Sequence, residues 1–161
     1  SGGCIPAEQL DLSMDYDTLA EAGTALGSGA LLIIDDTHCI VDIVKCFMQF
    51  FKNESCGKCT PCREGTYQMY NILDRISKGK GNPKDIDNMM VLSRTMMRSS
   101  LCGLGQAAPN PVVTTLYFYR DEYNAHIRDK VCPAGVCPIK NTEGTVLPAS
   151  HSVRTIPIRD K

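Results

Sequence analysis

The sequence predicts a mainly α fold: a four-helix bundle over residues 37–131, preceded by an α+β segment at 1–36 and followed by an irregular tail at 132–161. Three observations carry this. From Ile40 onward apolar residues return at helical spacing, in four stretches parted by Gly, Pro, Asn or Ser punctuation. Ahead of them, Ala30-Leu-Leu-Ile-Ile34 is an apolar run of strand length. Behind them, Pro133, Pro138, Pro148 and Pro157 stand among scattered polar residues without any period. At 161 residues the chain is long enough for one domain with a proper core, or one domain with attached pieces.

Within the first segment a short acidic helix is expected through Tyr16–Ala22, ended by Gly23. Gly27-Ser-Gly29 then leads into Ala30–Ile34, read as a buried strand. These pieces are too few to close a core alone. From Thr37, a plausible N-cap, the period changes. Ile40, Ile43, Val44, Phe47 and Phe51 form a stripe that Val41, Met48 and Phe50 broaden, and the helix is expected to run to Lys52 before Asn53-Glu-Ser55 breaks it. The second helix begins near Cys62, carries Tyr67, Met69, Tyr70, Leu73 and Ile76, and stops at Gly79-Lys-Gly-Asn-Pro83. The third runs from Asp85 to Met97. Pro109 and Pro111 prepare a fourth, with Val112, Leu116, Tyr119 and Tyr123 on one side, continuing to Lys130. Short connections make the four a bundle, with two interhelical loops meeting at one end.

Those two loops hold the chemistry. Glu54-Ser-Cys-Gly-Lys-Cys-Thr-Pro-Cys-Arg-Glu-Gly65 sets Cys56, Cys59 and Cys62 at C-x2-C-x2-C spacing, and Cys102 follows in Ser-Leu-Cys-Gly-Leu-Gly. Thiolates this dense repel one another unless a metal centre neutralises them. A C-x2-C-x2-C loop wraps one face of a cube and caps three irons, leaving the fourth to a remote ligand. Zinc fingers more often use two separated pairs. The spacing favours a [4Fe–4S] cluster over zinc, and over buried structural thiols.

Composition narrows the class. A formal charge of −1 argues against a nucleic-acid footprint. No apolar run approaches the roughly 20 residues a bilayer span needs, and no basic-then-apolar secretory leader is read in these residues. Nine cysteines, an odd number clustered at ligand spacing, do not read as disulfide staples. A reducing compartment is expected, the cytoplasm or an equivalent. The Ser1-Gly-Gly-Cys-Ile-Pro6 opening reads as the middle of a larger protein.

The Glu54–Gly65 motif, remote Cys102, the Gly79-Lys-Gly81 turn and the Ser1-Gly-Gly3 opening resemble the NADH-binding flavoprotein subunit of respiratory complex I. They resemble still more the equivalent subunit of NAD-reducing and electron-bifurcating iron hydrogenases, over residues 1 to about 137. The resemblance implies that 1–36 is the end of a β-grasp (SLBB-type) domain and 37–131 a helical iron–sulfur domain. By similarity Cys56, Cys59, Cys62 and Cys102 ligate one [4Fe–4S] cluster, which takes electrons singly from a flavin and passes them on. It places the FMN and NAD sites upstream of Ser1, outside this chain. It implies partners: other subunits of a multi-subunit redox complex, including a [2Fe–2S] thioredoxin-like subunit. Bifurcating relatives often continue from Cys-x-Ala-Gly-Val-Cys into further cysteine runs. Here Cys132-Pro-Ala-Gly-Val-Cys137 is followed by no further cysteine, so a single cluster is expected.

Gly57 and Gly103 are expected to let backbone amides approach the sulfurs, and Pro61 to rigidify the loop. Lys58 and Arg63 either add positive charge near the thiolates or are simply solvated. A second constellation, His126-x5-Cys132-x4-Cys137, would complete a Cys3His zinc tetrahedron if Cys39 reached it. The alternative leaves His126 on the surface and Cys39 as a small core residue. Cys46 is read as packing, Cys4 has no nameable partner, His38 is unassigned, and His151 is expected in solvent. Outer-sphere electron transfer needs no general base or nucleophile, so no catalytic residue is assigned. Two other function classes compete: a zinc-stabilised helical interaction module, and a cysteine enzyme using Cys62 at a helix N-terminus.

Overall fold

The computed structural model describes residues 2–139. Ser1 and residues 140–161, including His151, Pro148 and Pro157 of the expected tail, lie outside the described residues.

The chain opens with a 3-10 turn, Ala7–Gln9, and helix α1, Tyr16–Glu21, whose N-cap Asp15 accepts a hydrogen bond from the Thr18 amide at 2.8 Å. The expected strand is not there. Residues 30–34 form no strand, and Leu31, Leu32 and Ile33 are exposed. A strand persists only where another lends its hydrogen-bonding edge, and the described residues contain no strand at all.

Helix α2 spans Ile40–Glu54. Its N-cap is Cys39, not Thr37. Thr37 is drawn into a tight turn instead, its amide and hydroxyl both donating to Asp35 Oδ1, which also engages His38 Nδ1 at 2.8 Å. The buried face is Ile40, Val41, Val44, Met48 and Phe51. Cys46 and Phe50, expected to pack, are exposed. Each lies two residues beyond a buried one, about 200° around a helix of 3.6 residues per turn, and so faces outward.

Helix α3, Thr60–Ser77, starts at N-cap Cys59, with Pro61 in its first turn where the missing amide costs nothing. Tyr67, expected in the apolar stripe, is half exposed, whereas Met69, Leu73 and Ile76 are fully buried. The helix ends in a Schellman motif: Gly79 donates to the Ile76 carbonyl and Lys80 to that of Arg75. Helix α4, Lys84–Ser99, buries Met89 and Met96. Unforeseen from the sequence is α5, Gly103–Ala107, a single turn capped by Cys102.

The fourth expected helix is broken. It comprises α6, Asn110–Phe118, and α7, Arg120–Asn124, separated at Tyr119. The backbone leaves the helical region at Tyr119, at φ −121° and ψ 34°, while Val112-Val113-Thr114-Thr115 lies within α6 with the Thr114 and Thr115 hydroxyls on carbonyls at 110 and 111. α7 passes into a π-helical turn, Ala125–Asp129, ended by Lys130 in the left-handed region at φ 57°. The helices close a ring: α2 packs on α3, α3 on α4, α4 on α6, and α6 back on α2. The core inside is rich in methionine (Met48, Met69, Met89, Met96), with Leu73, Val112 and Tyr123. Among the described residues no helix is long and apolar enough to cross a membrane.

Candidate metal centres

Two groups of cysteines sit at opposite ends of α2, whose 15 residues span about 22 Å at 1.5 Å each. The first lies where α2 ends. Ser55 caps α2 in an extended conformation, Gly57 turns the chain at φ 74°, and Cys59 then caps α3. Cys62 follows on the buried side of α3's first turn, while Cys56 is exposed and Cys59 half-buried. Cys102, exposed, caps α5 from the loop after α4.

Two close approaches bring these loops together. A Cβ at Gly65, one turn beyond Cys62, would collide with the Met96 side chain, which fills the space between α3 and α4 there. A Cβ at Gly105 would stand 2.6 Å from Ser100 Oγ and 2.9 Å from Cys62 Cβ, so the turn carrying Cys102 is seated on Cys62. The Cys59 thiol is held below its ordinary pKa, chiefly by the Leu101 amide, next by the Cys62 amide, and by the charge of Arg63. Arg63 does more than add charge. Its Nη1 donates to the Gly57 carbonyl at 2.6 Å and so ties the loop, whereas Lys58 is exposed.

Among the described residues the one set of donors gathered within 4.8 Å lies elsewhere. A cuboidal cluster does not need its thiolates to meet at one point, because each corner iron takes its own. Four thiols on two adjoining loops, with backbone amides directed at one of them, fit that group.

At the other end, Cys39, His126, Cys132 and Cys137 are all buried, with their donor atoms within 4.8 Å of one another. Cys39 Sγ lies 3.3 Å from His126 Nε2 and 3.6 Å from Cys137 Sγ. With Zn–S of about 2.3 Å and Zn–N of about 2.0–2.1 Å, a tetrahedron has edges of about 3.8 Å between sulfurs and about 3.5 Å from sulfur to nitrogen. The chain alone thus holds spacings close to those of a single zinc ion.

His126 is buried, not on the surface, and its Nδ1 sits 2.7 Å from the Glu122 carbonyl one turn back. That carbonyl only accepts, so Nδ1 carries the proton and Nε2 offers its lone pair to the site. Glu122 also accepts, through Oε2, the Ile40 amide at the start of α2. His126 lies in the π-turn, and such turns recur at functional sites. Hydrogen bonding with Cys137, then burial, pushes the Cys39 thiol well above the ordinary cysteine range. Burial disfavours a charged His126, but the Cys39 sulfur and the Glu122 carbonyl outweigh it and raise its pKa.

The remaining thiols join neither group. The Cys4 amide donates to Thr114 Oγ1 at 2.8 Å, and burial raises its thiol pKa. Cys46 faces outward. Sequence reasoning missed Glu122, whose signal was its place four residues before His126. It also missed Ser55 and Ser100, which lie one and two residues before a cysteine loop's thiol.

Comparison with known proteins places these loops in context. Residues 42–126 match the NADH-ubiquinone oxidoreductase-F iron–sulfur binding region. The chain is 46% identical over 137 residues to the NADP-reducing hydrogenase subunit HndC of Solidesulfovibrio fructosivorans, covering 85% of this chain and 28% of that protein. It is 44% identical over 126 residues to an NADH-quinone oxidoreductase subunit of Mycobacterium bovis, covering 78% of this chain and again 28% of the relative. A crystal structure of NAD+-reducing [NiFe]-hydrogenase in the H2-reduced state superposes with a TM-score of 0.70 at 30% identity, over 79% of this chain and 22% of that one. The chain thus spans under a third of the length of these relatives.

Proposed function

The chain belongs to the family of the NADH-ubiquinone oxidoreductase-F iron–sulfur binding region, and we propose that it is the electron-relay part of an NADH-linked oxidoreductase subunit. Cys56, Cys59, Cys62 and Cys102 hold one [4Fe–4S] cluster, which when bound accepts and releases single electrons. The chain's own residues wrap the cluster with two loops, direct amides at its sulfurs and leave Cys56 and Cys102 at the surface, where an electron partner reaches them. The donor and acceptor are a flavin bound outside this chain, with the NAD site beside it, and other iron–sulfur subunits of the complex, a [2Fe–2S] thioredoxin-like one included. Residues 1–36 are the end of a β-grasp unit, 37–131 the helical iron–sulfur domain, and the segment from 132 is tethered at its start by zinc. The compartment is the cytoplasm or an equally reducing one.

The observation that carries the reading is the seating of Cys102's turn directly on Cys62, which joins the remote cysteine to the C-x2-C-x2-C loop. Zinc at Cys39, His126, Cys132 and Cys137 is the second part of the proposal, supported by tetrahedral edge lengths and the fixed His126 tautomer. Zinc carries no accessible electron, so this centre clamps the chain after α7 to the start of α2. Anaerobic reconstitution tests both parts. About four irons and four sulfides per chain with one zinc are expected, and a rhombic or axial EPR signal after dithionite. A colourless protein that keeps zinc and refuses iron would leave only the helical interaction module.

A further inference from the structure

Cys62 is the deepest of the four cluster cysteines, and two serines flank it. Ser55 caps the C-terminus of α2 and Ser100 that of α4, so both stand where a helix gives way to a cysteine loop. Ser55 Oγ lies 3.3 Å from Cys62 Sγ and accepts the Gly57 amide at 3.3 Å. A hydroxyl has one proton. With its oxygen taking the amide, that proton is free for the sulfur, and a thiolate can only accept it.

Ser100 supplies the second observation. It is 5% exposed, and its hydroxyl is the one buried side-chain oxygen or nitrogen without a hydrogen-bond partner among the described residues. Its backbone is already engaged: the amide donates to the Met96 carbonyl, and its own carbonyl accepts from Gln106 Nε2. Elsewhere in these helices Thr66, Ser77, Ser93 and Thr95 turn their hydroxyls back onto carbonyls of their own helix. Ser100 does not. Its hydroxyl instead occupies the narrow space against Gly105, which Cys62 Cβ also borders. Orphaned buried hydroxyls are rare in folded proteins, and a bound group that completes the site is one of the reasons for them.

We propose that Ser55 and Ser100 are potential-setting residues: their hydroxyls donate hydrogen bonds to sulfur at the Cys62 corner of the cluster and hold its reduction potential up. The proposal rests on the cluster assignment above. Donors to cluster sulfur stabilise the reduced, more negative form, so removing them makes the cluster harder to reduce.

The test is an EPR-monitored redox titration of the anaerobically reconstituted chain, with Ser55→Ala, Ser100→Ala, the double variant, and Ser55→Val against Ser55→Thr. EPR reads only loaded chains, so incomplete loading does not mask the result. Each alanine variant is expected to shift to lower potential and the double further, to about a tenfold change in the oxidised-to-reduced ratio at fixed ambient potential, or 59 mV for one electron. Ser55→Thr keeps the hydroxyl and is expected near the wild-type potential, while Ser55→Val, of the same shape, falls with alanine. Loaded alanine variants at the wild-type potential would overturn the proposal, as would equal failure of Ser55→Thr and Ser55→Val to load. Loading of Ser55→Thr alone would support it. A wild-type chain that takes up no iron is a different failure, of the cluster assignment itself.

Discussion

At one end of α2 three thiols and an imidazole are buried and held within 4.8 Å; at the other, two of four thiols are exposed and the set is spread. The difference follows from the size of what each end encloses. A single ion needs donors that nearly touch, and ordinary core packing brings them there. A cuboid the size of a large side chain must be left room, and its thiols line two loops and not a core. Closure suits a structural tie, and exposure suits an electron that must leave.

The largest test of this contrast is to remove one ligand at each end. Cys62→Ala is expected to take iron from about four per chain to near zero and abolish the visible charge-transfer absorption, with zinc unchanged. Cys132→Ala is expected to do the converse: zinc is lost and iron stays. Its thermal cost is read in the same variant. Metal at a hundredfold its dissociation constant stabilises by about 2.7 kcal/mol, or about 5–10 °C in Tm for a domain of this size. Coupled loss of both metals in either variant would show that the ends are not independent.

Gly105→Ala acts on the open end alone. Its new Cβ meets Ser100 and Cys62, so a cost of about 1–3 kcal/mol is expected, with weakened iron retention and normal zinc, read by metal analysis and calorimetry. The smallest effect separates the ends by pH in the metal-free chain. Cys59, held below the ordinary range by amides, is expected to alkylate at lower pH than a free thiol, and Cys39, held above it, last. Above the pH at which an unfolded cysteine ionises, the unfolded chain binds fewer protons than the folded one keeping Cys39 neutral. Stability of the metal-free chain should therefore fall as pH rises through that range, measured by thermal melts.

The open site was legible because its pattern is local: three cysteines within seven residues signal a common metal whatever the fold does around them. The closed site was legible as a conditional set. His126, Cys132 and Cys137 lie near each other in sequence, and Cys39 was named with them only if it reached them; it does so from 87 residues before His126, a distance no periodicity encodes. α3 and α4 came within two residues of expectation, since strong periods and clear stops agree there. The fourth helix did not, because helical spacing does not reveal where the backbone leaves the helical region, as it does at Tyr119. Cys46 and Phe50 were misplaced for a related reason: apolar character was weighed above angular position. The segment at 30–34 reads as a strand on composition, and a strand's partner is never written in its own residues.

The π-turn at Ala125–Asp129 carries one more residue per turn than the helix leading into it. A single deletion within it would remove that extra residue and shift His126 relative to the Glu122 carbonyl and the Cys132–Cys137 loop. The clamp would then lose its fit, although every donor remained in the chain. The centre is thus guarded by spacing as much as by chemistry, and a change of length would undo it more surely than most changes of letter.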